Sequence, residues 1–348
     1  MNVAVVEHAL KLIKIGKKET TMINVMSKET MDKIHKIVDV YTNTKSDNSL
    51  FHFTSVNALH SIIENQSLRL TNSTFMNDKN EYLDSLMTVV KAAREMKNDE
   101  RYQEDKDILI DMESYYIMMI EDYQSRLEDV GHSVFYILST SMDFNSVPMW
   151  NYYSDGSGIC IEFDKTTLNS LISEKINMCN KKNVFENNHA SYFKCLYDES
   201  IKIELIKKII DISLPEINRD YDKNKQNKKH GLYVYFANAI REYSYIFKNS
   251  IYKYENEHRA VVEFIVDDNI INELDKSKHI NKHFYTVRDT IRPCITICFN
   301  QKLPIKSVYI APTNTSETVV RGIKLLLKHY GYQDINVDKV KMSIRNNY

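Results

Sequence analysis

The sequence predicts an α+β fold, with a mixed β-sheet at the centre and large helical inserts between strands far apart in the chain. Three observations carry this. Strand-like runs lie toward both ends of the sequence, with helical patterns between them. The strand-like runs alternate with period two or are short and wholly apolar, while the stretches between them carry the three-to-four spacing of helices. Seven glycines in 348 residues, against a usual share of about 7%, make no G-x-G-x-x-G or P-loop string. This argues against a doubly wound dinucleotide fold, so any nucleotide must be gripped by side chains and strand edges.

Residues 1–48 read as a polar, helical N-terminal appendage. Met22, Met26, Met31 and Ile34 are partly periodic, and the stretch from Thr42 to Asn48 is a polar linker. The appendage is a packing helix or a contact for a homodimer. Residues 49–348 read as one α+β domain with helical inserts at about 83–130 and 165–247. Phe51 to Thr54 is a strand that turns Phe51 and Phe53 to one side, His52 and Thr54 to the other. Ser55 caps a short helix striped by Leu59, Ile62 and Ile63. Leu68 and Leu70 restart an extended segment. Asp78 reads as a helix N-cap with Glu81 at the capping-box position, ahead of Leu83, Leu86, Val90 and Ala93 on one helical face. Lys91 to Asp129 is charged with periodic Met and Ile, as expected of helices covering a core.

Phe135 to Ser141 reads as a strand buried on both faces, Val147 to Tyr153 as an aromatic turn or helix, and Gly158 to Phe163 as a strand. Residues 165–247 read as helices, clearest from Ile201 to Ile212. The basic run Lys223 to Lys229 reads as a solvated loop. Strands follow at Arg259–Val266, Cys294–Phe299 and Lys306–Ala311. A helix from about Ser316 to Tyr330 has Asn314 and Glu317 as a capping box and Gly331 as its stop, and a strand near Asn336–Val340 follows.

Hydrophobic residues at 43%, charged residues at 27% and a net charge of −1 fit a globular chain without a global basic signal for nucleic acid. No run reaches the roughly 18 apolar residues of a membrane helix. Glu7 and His8 interrupt the apolar start where a signal peptide would continue, so a cytoplasmic protein is expected. The five cysteines are odd in number and make no C-x-x-C pair, which favours buried, reduced thiols.

Two strand faces could carry chemistry. His52 and Thr54 project together. Glu255, Glu257 and Arg259 share a face by alternation, with Val262 and Phe264 on the core side. The bland alternatives are a solvated charged face or a local ion-pair network for the acidic string, and an aromatic plug for Trp150 and Tyr153.

In order along the chain stand Phe51-His-Phe-Thr, Leu68-Arg-Leu, Asn77-Asp-x-x-Glu81, Ser139-Thr-Ser141, Met149-Trp-x-x-Tyr153, Gly158-Ile-Cys-Ile-Glu-Phe, Lys248 ahead of Glu255-x-Glu257-x-Arg259, and Ile310-Ala-Pro. This series resembles the bacterial family known as domain of unknown function 2971 over roughly residues 49–345. It departs at Leu138-Ser-Thr-Ser, where members tend to have Cys-Phe-Ser. The opening His-x-Thr strand is similar to that of ADP-ribosyltransferase-like families, including DNA-modifying toxins.

That likeness implies a split, mixed sheet gripping NAD as substrate, and a bacterial or phage toxin or defence effector performing mono-ADP-ribosyl transfer or NAD hydrolysis. It implies Glu257 as the carboxylate beside the ribose and Glu255 as base or orienting group. His52 and Thr54 would hold the adenosine-side ribose, with Ser141 lining the site. Trp150 or Tyr153 would stack on nicotinamide, and Arg259 or Arg69 would pair with the pyrophosphate. No metal is expected on this reading, and the acceptor is an undefined nucleic acid or protein. Two alternatives stand beside it. One is a Mg²⁺-dependent nuclease using Asp78, Glu81, Glu255 and Glu257. The other is a nucleotide sensor without turnover.

Overall fold

The computed structural model describes residues 26–43, 48–76, 80–125, 133–154, 157–180, 189–223, 240, 243–265, 279–287, 289–314 and 316–341. In chain order the elements are α1 (Lys28–Thr42), β1 (Ser49–Thr54), α2 (Val56–Asn65), β2 (Ser67–Asn72), α3 (Glu81–Met96), α4 (Lys106–Ser125), β3 (Ser133–Ser141), α5 (Val147–Tyr153), β4 (Ile159–Asp164), α6 (Lys165–Asn180), β5 (Ala190–Lys194), α7 (Glu199–Lys223), β6 (Glu257–Ile265), β7 (Ile280–Val287), β8 (Thr290–Cys298), β9 (Ile305–Ile310), α8 (Glu317–His329) and β10 (Asn336–Lys339).

The strands form one sheet in the order β10-β9-β4-β1-β3-β2-β8-β7, and β5 and β6 join it through β3. All pairings are antiparallel except β9 with β10, which makes the sheet mixed. One edge of β3 is occupied throughout by β6, from Ser133 opposite Ile265 to Ser141 opposite Glu257. The other edge receives two strands. β2 meets it at Tyr136 and Ile137, and β1 meets it at Ser141. The sheet therefore divides at β3 into a β1-β4-β9-β10 wing and a β2-β8-β7 wing. Among the described residues, 138–140 have no strand partner on the dividing side.

Helices cover both faces. On one, α1, α3, α4 and α7 enclose Phe135, Ile137, Val261 and Phe193. On the other, α2, α6 and α8 enclose Leu50, Leu68, Leu138, Ile161, Val262 and Ile297. Alternation along β1 sends Leu50 to that second core. Phe51 and Phe53 go to an aromatic cluster under α5 with Met149, Trp150 and Cys160. Helix α1 is a packing helix, with Ile34 and Val38 fully inside the first core.

Several sequence expectations shift. Strands β5 and β7 were not legible, since both lack alternation in burial and most of their residues stay partly or fully exposed. Helix α7 is longer than the Ile201–Ile212 stripe and carries Pro215 within it. The N-cap of α8 is Ser316, whose own side chain makes no cap bond; Asn314 Oδ1 accepts from the Ser316 N–H at 3.2 Å instead of forming a capping box with Glu317. Cys160, Cys195 and Cys294 are buried free thiols and Cys298 is partly buried. The Lys223–Lys229 loop beyond Lys223 and the segment before Met26 lie outside the described residues. Among the described residues, no helix is long and apolar enough to cross a membrane.

Gly158 at the head of β4 is there for space. A Cβ would lie 2.4 Å from the Thr54 carbonyl oxygen and 2.7 Å from that of Ser154, both backbone atoms that cannot swing away. Gly158→Ala will destabilise the protein by about 1–3 kcal/mol through this overpacking. A thermal unfolding midpoint equal to that of the wild type would refute the close approach.

Candidate functional site

Separated sequence strings meet in a buried polar centre at the start of β6. Arg259, 0% exposed, points along the same sheet face as Ser139 of β3. Its Nε and Nη2 donate to the two oxygens of Glu257 at 2.9 and 2.8 Å. Its Nη1 and Nη2 donate to the two oxygens of Glu81 at 2.8 and 2.6 Å, and Nη1 also donates to the Tyr245 carbonyl at 2.9 Å. All five guanidinium donors are thereby used. Lys248 donates to Glu257 at 2.6 Å and also to Glu255. Tyr153 caps the arrangement by donating its hydroxyl to Glu255 at 2.6 Å.

Local structure delivers each group. Lys248 is held by pairing of its segment with Leu196: the Lys248 N–H donates to the Leu196 carbonyl at 3.0 Å, and the Lys248 carbonyl accepts from Lys202 Nζ at 2.6 Å. Glu255 closes a 3-10 turn (Ser250–Glu255) whose cap, Asn256, adopts φ +40°. That left-handed residue is where the chain turns into β6. Glu255 and Glu257 are therefore not two positions of one strand, as alternation suggests; they converge across a helix-to-strand turn. The Glu257 N–H donates to the Tyr197 hydroxyl at 2.8 Å, and Cys195 Sγ lies 3.8 Å from Glu257 Oε2.

Three carboxylates face two cations, so one negative charge is in excess. The consequences divide the pair of glutamates. Burial works against the Glu257 charge, but Arg259 and Lys248 overcome it and hold the carboxyl well below its usual range. For Glu255 burial dominates, and its pKa is raised despite Lys248. The carboxylates drive Lys248 and Arg259 upward against their own desolvation. Burial pushes the Cys195 thiol up, so it is inert at neutral pH.

The other anticipated residues are distributed around the division of the sheet. His52 is partly buried and its Nδ1 donates to the Ser139 carbonyl at 3.3 Å, on the stretch of β3 whose dividing edge has no strand partner among the described residues. Burial lowers its pKa. Thr54 is partly exposed on the same side of β1. Ser141 is sealed inside, its hydroxyl donating to the Glu255 carbonyl at 2.7 Å. Trp150, expected as a stacking partner, is 0% exposed; its Nε1 donates to the Phe144 carbonyl at 2.8 Å and its ring meets Phe53 edge-on at 5.0 Å. It is a core plug. Arg259, expected at a pyrophosphate, has no donor left for one. Arg69 is exposed and lies 4.3 Å over the Tyr285 ring.

Glu81 is the residue that sequence reasoning underrated. It opens α3 after Asn80, which makes no side-chain cap bond, and its carboxylate is taken by Arg259 rather than by the helix end. Asp78 lies outside the described residues. Lys248 stood in the motif series, yet it had no assigned role. The three glutamates that a metal reading would gather around Mg²⁺ gather around Lys248 and Arg259. Among the described residues no group of three or more His, Cys, Asp or Glu is arranged to hold a metal ion.

A neighbouring buried histidine adds a pH dependence. On the opposite face of β6, burial lowers the His258 pKa to about 4, Lys165 acts in the same direction and Glu257 opposes. An unfolded histidine titrates near 6.5. Because the folded value is lower, this contribution is fully present above about pH 6.5 and is lost as pH falls toward 4, at a cost of about 3 kcal/mol. Glu255, shifted up, has the opposite sign and offsets part of the loss. His258→Leu will therefore flatten the unfolding free energy between pH 6.5 and 4; equal slopes for variant and wild type would overturn this.

Residues 149–260 match the model of a family described as protein of unknown function (DUF2971). That span runs from Met149 to one residue past Arg259, so it includes Trp150, Tyr153, Lys248, Glu255 and Glu257. No curated protein and no solved structure matches the chain.

Proposed function

We propose that the polar centre serves NAD-dependent ADP-ribosyl transfer or NAD hydrolysis. The observation that carries this reading is the pair Glu255 and Glu257, two residues apart and shifted in opposite directions against fixed cations. Carboxylates driven apart in this way suit an acid-base role and a charge-stabilising role within one site. Cleavage of the bond between ribose C1′ and nicotinamide sends the bonding pair to the leaving nicotinamide and leaves an oxocarbenium-like sugar, as in glycoside cleavage. Glu257, kept anionic, opposes that positive charge. Glu255 takes the proton of the water or acceptor that attacks C1′, and Tyr153 fixes its orientation. The division of the sheet at His52 is consistent with the split sheet implied by the likeness to ADP-ribosyltransferases, but the strand register puts His52 and Thr54 on the face opposite Glu257.

One observation favours a second reading. Arg259 and Glu257 satisfy each other inside the protein, as a structural core would, and a nucleotide-binding protein without turnover needs nothing more. Incubation with labelled NAD separates the two. Nicotinamide release that survives a metal chelator supports the transfer reading. Saturable NAD binding without release supports the second, and absence of both rejects each.

A further inference from the structure

The sheet face that carries Glu257 and Arg259 continues past the division onto β2, β8 and β7. Its cross-strand rows there are Arg69–Thr296–Asn281, Thr71–Cys294–His283 and Arg292–Tyr285. None of these residues joins a hydrophobic cluster, so this part of the face is polar. Tyr285 stands on its edge strand, β7. The Arg69 guanidinium lies over its ring at 4.3 Å, and its hydroxyl shares a 2.9 Å hydrogen bond with Thr71. Arg292 stands beside it as cross-strand partner, and Arg292 Nε is buried with no hydrogen-bond partner among the described residues. Neither Arg69 nor Arg292 has a carboxylate partner among the described residues.

Two arginines flank one fixed phenol, Arg69 over its ring and Arg292 as its cross-strand neighbour, with no carboxylate partner among the described residues, and this arrangement suits an anion. A partly buried guanidinium lacking its partner is costly, and an anion with several oxygens removes that cost. The planar fork of arginine matches phosphate oxygens two at a time. Two cations fit one pyrophosphate better than a polynucleotide, which needs a longer row of phosphate contacts. We propose that Arg69, Tyr285 and Arg292 bind the pyrophosphate of a nucleotide. This deepens the nucleotide readings above and rests on them: it keeps Arg69 from the family likeness, adds Tyr285 and Arg292, and requires no turnover.

Titration calorimetry on the full chain tests it with inorganic pyrophosphate, ADP and adenosine as probes. Pyrophosphate and ADP should bind saturably, and adenosine at least about tenfold more weakly. Arg69→Gln and Arg292→Gln should each weaken ADP binding about tenfold or more, since each removes charge-assisted hydrogen bonds. Tyr285→Leu, which frees Arg69 while keeping both charges, should cost less than either. Unfolding midpoints of the variants identify any that fail to fold, and Arg69 is exposed enough to be replaced without loss of packing. No saturable binding of pyrophosphate or ADP would overturn the proposal. So would ADP binding unchanged in both arginine variants, or binding lost in Glu255→Gln and retained in Arg292→Gln. The readout is heat of ADP binding, so the absence of NAD turnover leaves it standing.

Discussion

Arg259→Met will destabilise the protein by about 3–5 kcal/mol, the largest effect expected of any single change in the polar centre. The loss does not measure what the ion pairs contribute. It measures what happens when Glu81 and Glu257 are left buried with fewer partners: five donors vanish, and Lys248 alone faces three carboxylates. A second substitution checks the reasoning. Glu81→Gln removes one stranded charge, so it should restore part of the loss in the Arg259→Met background while being destabilising by itself. Denaturant unfolding of the four proteins gives the coupling directly. A loss below about 1 kcal/mol for Arg259→Met, or strict additivity of the two changes, would mean that the centre is hydrated and that the network holds little.

On the proposed transfer reading, Glu255→Gln should lower NAD turnover by about 10²- to 10⁴-fold, the usual range for removing a general base, while leaving stability near that of the wild type. The separation of the two effects follows from the charge balance. Glu255 carries the excess negative charge, and its neutral amide leaves two carboxylates against two cations. The amide oxygen can still accept from Tyr153 or Lys248. Glu257→Gln, in contrast, should lose both turnover and stability, because Arg259 and Lys248 are compensated by that carboxylate. Since burial raises the Glu255 pKa above its ordinary 4.5, turnover should climb with pH through a value above 4.5 and then level off. Steady-state nicotinamide release across pH decides the matter. Wild-type rates in Glu255→Gln would remove this residue from the chemistry.

How much of this was legible in the residues can be argued from particular elements. β1 was readable because alternation and burial agree: Phe51 and Phe53 pack, while His52 and Thr54 do not. β3 was readable because Phe135 to Leu138 is an unbroken apolar run covered on both faces. β5 and β7 were not, because strands that keep polar and exposed side chains on both faces have no period to show. The acidic string was recognisable as special, but its geometry was not. Alternation placed Glu255 and Glu257 on one strand; the left-handed Asn256 breaks that pattern, a conformation that asparagine tolerates but that Tyr-Glu-Asn-Glu does not require. Glu81 looked like a helix cap because a cap needs only local neighbours, whereas its actual partner lies 178 residues away.

By itself the sequence determined the class of the fold, most of its strands and helices, and the short strings that carry the ionisable groups. These properties depend on side-chain period and on residues within a few positions of one another. The tertiary structure decided which of those groups meet. Whether Arg259 faces a ligand or two carboxylates, whether Trp150 faces a pocket or a core, and which glutamate is raised and which is lowered all depend on burial and on charges brought together from distant segments. Burial and Coulomb interactions act through space, and only the folded chain sets those distances.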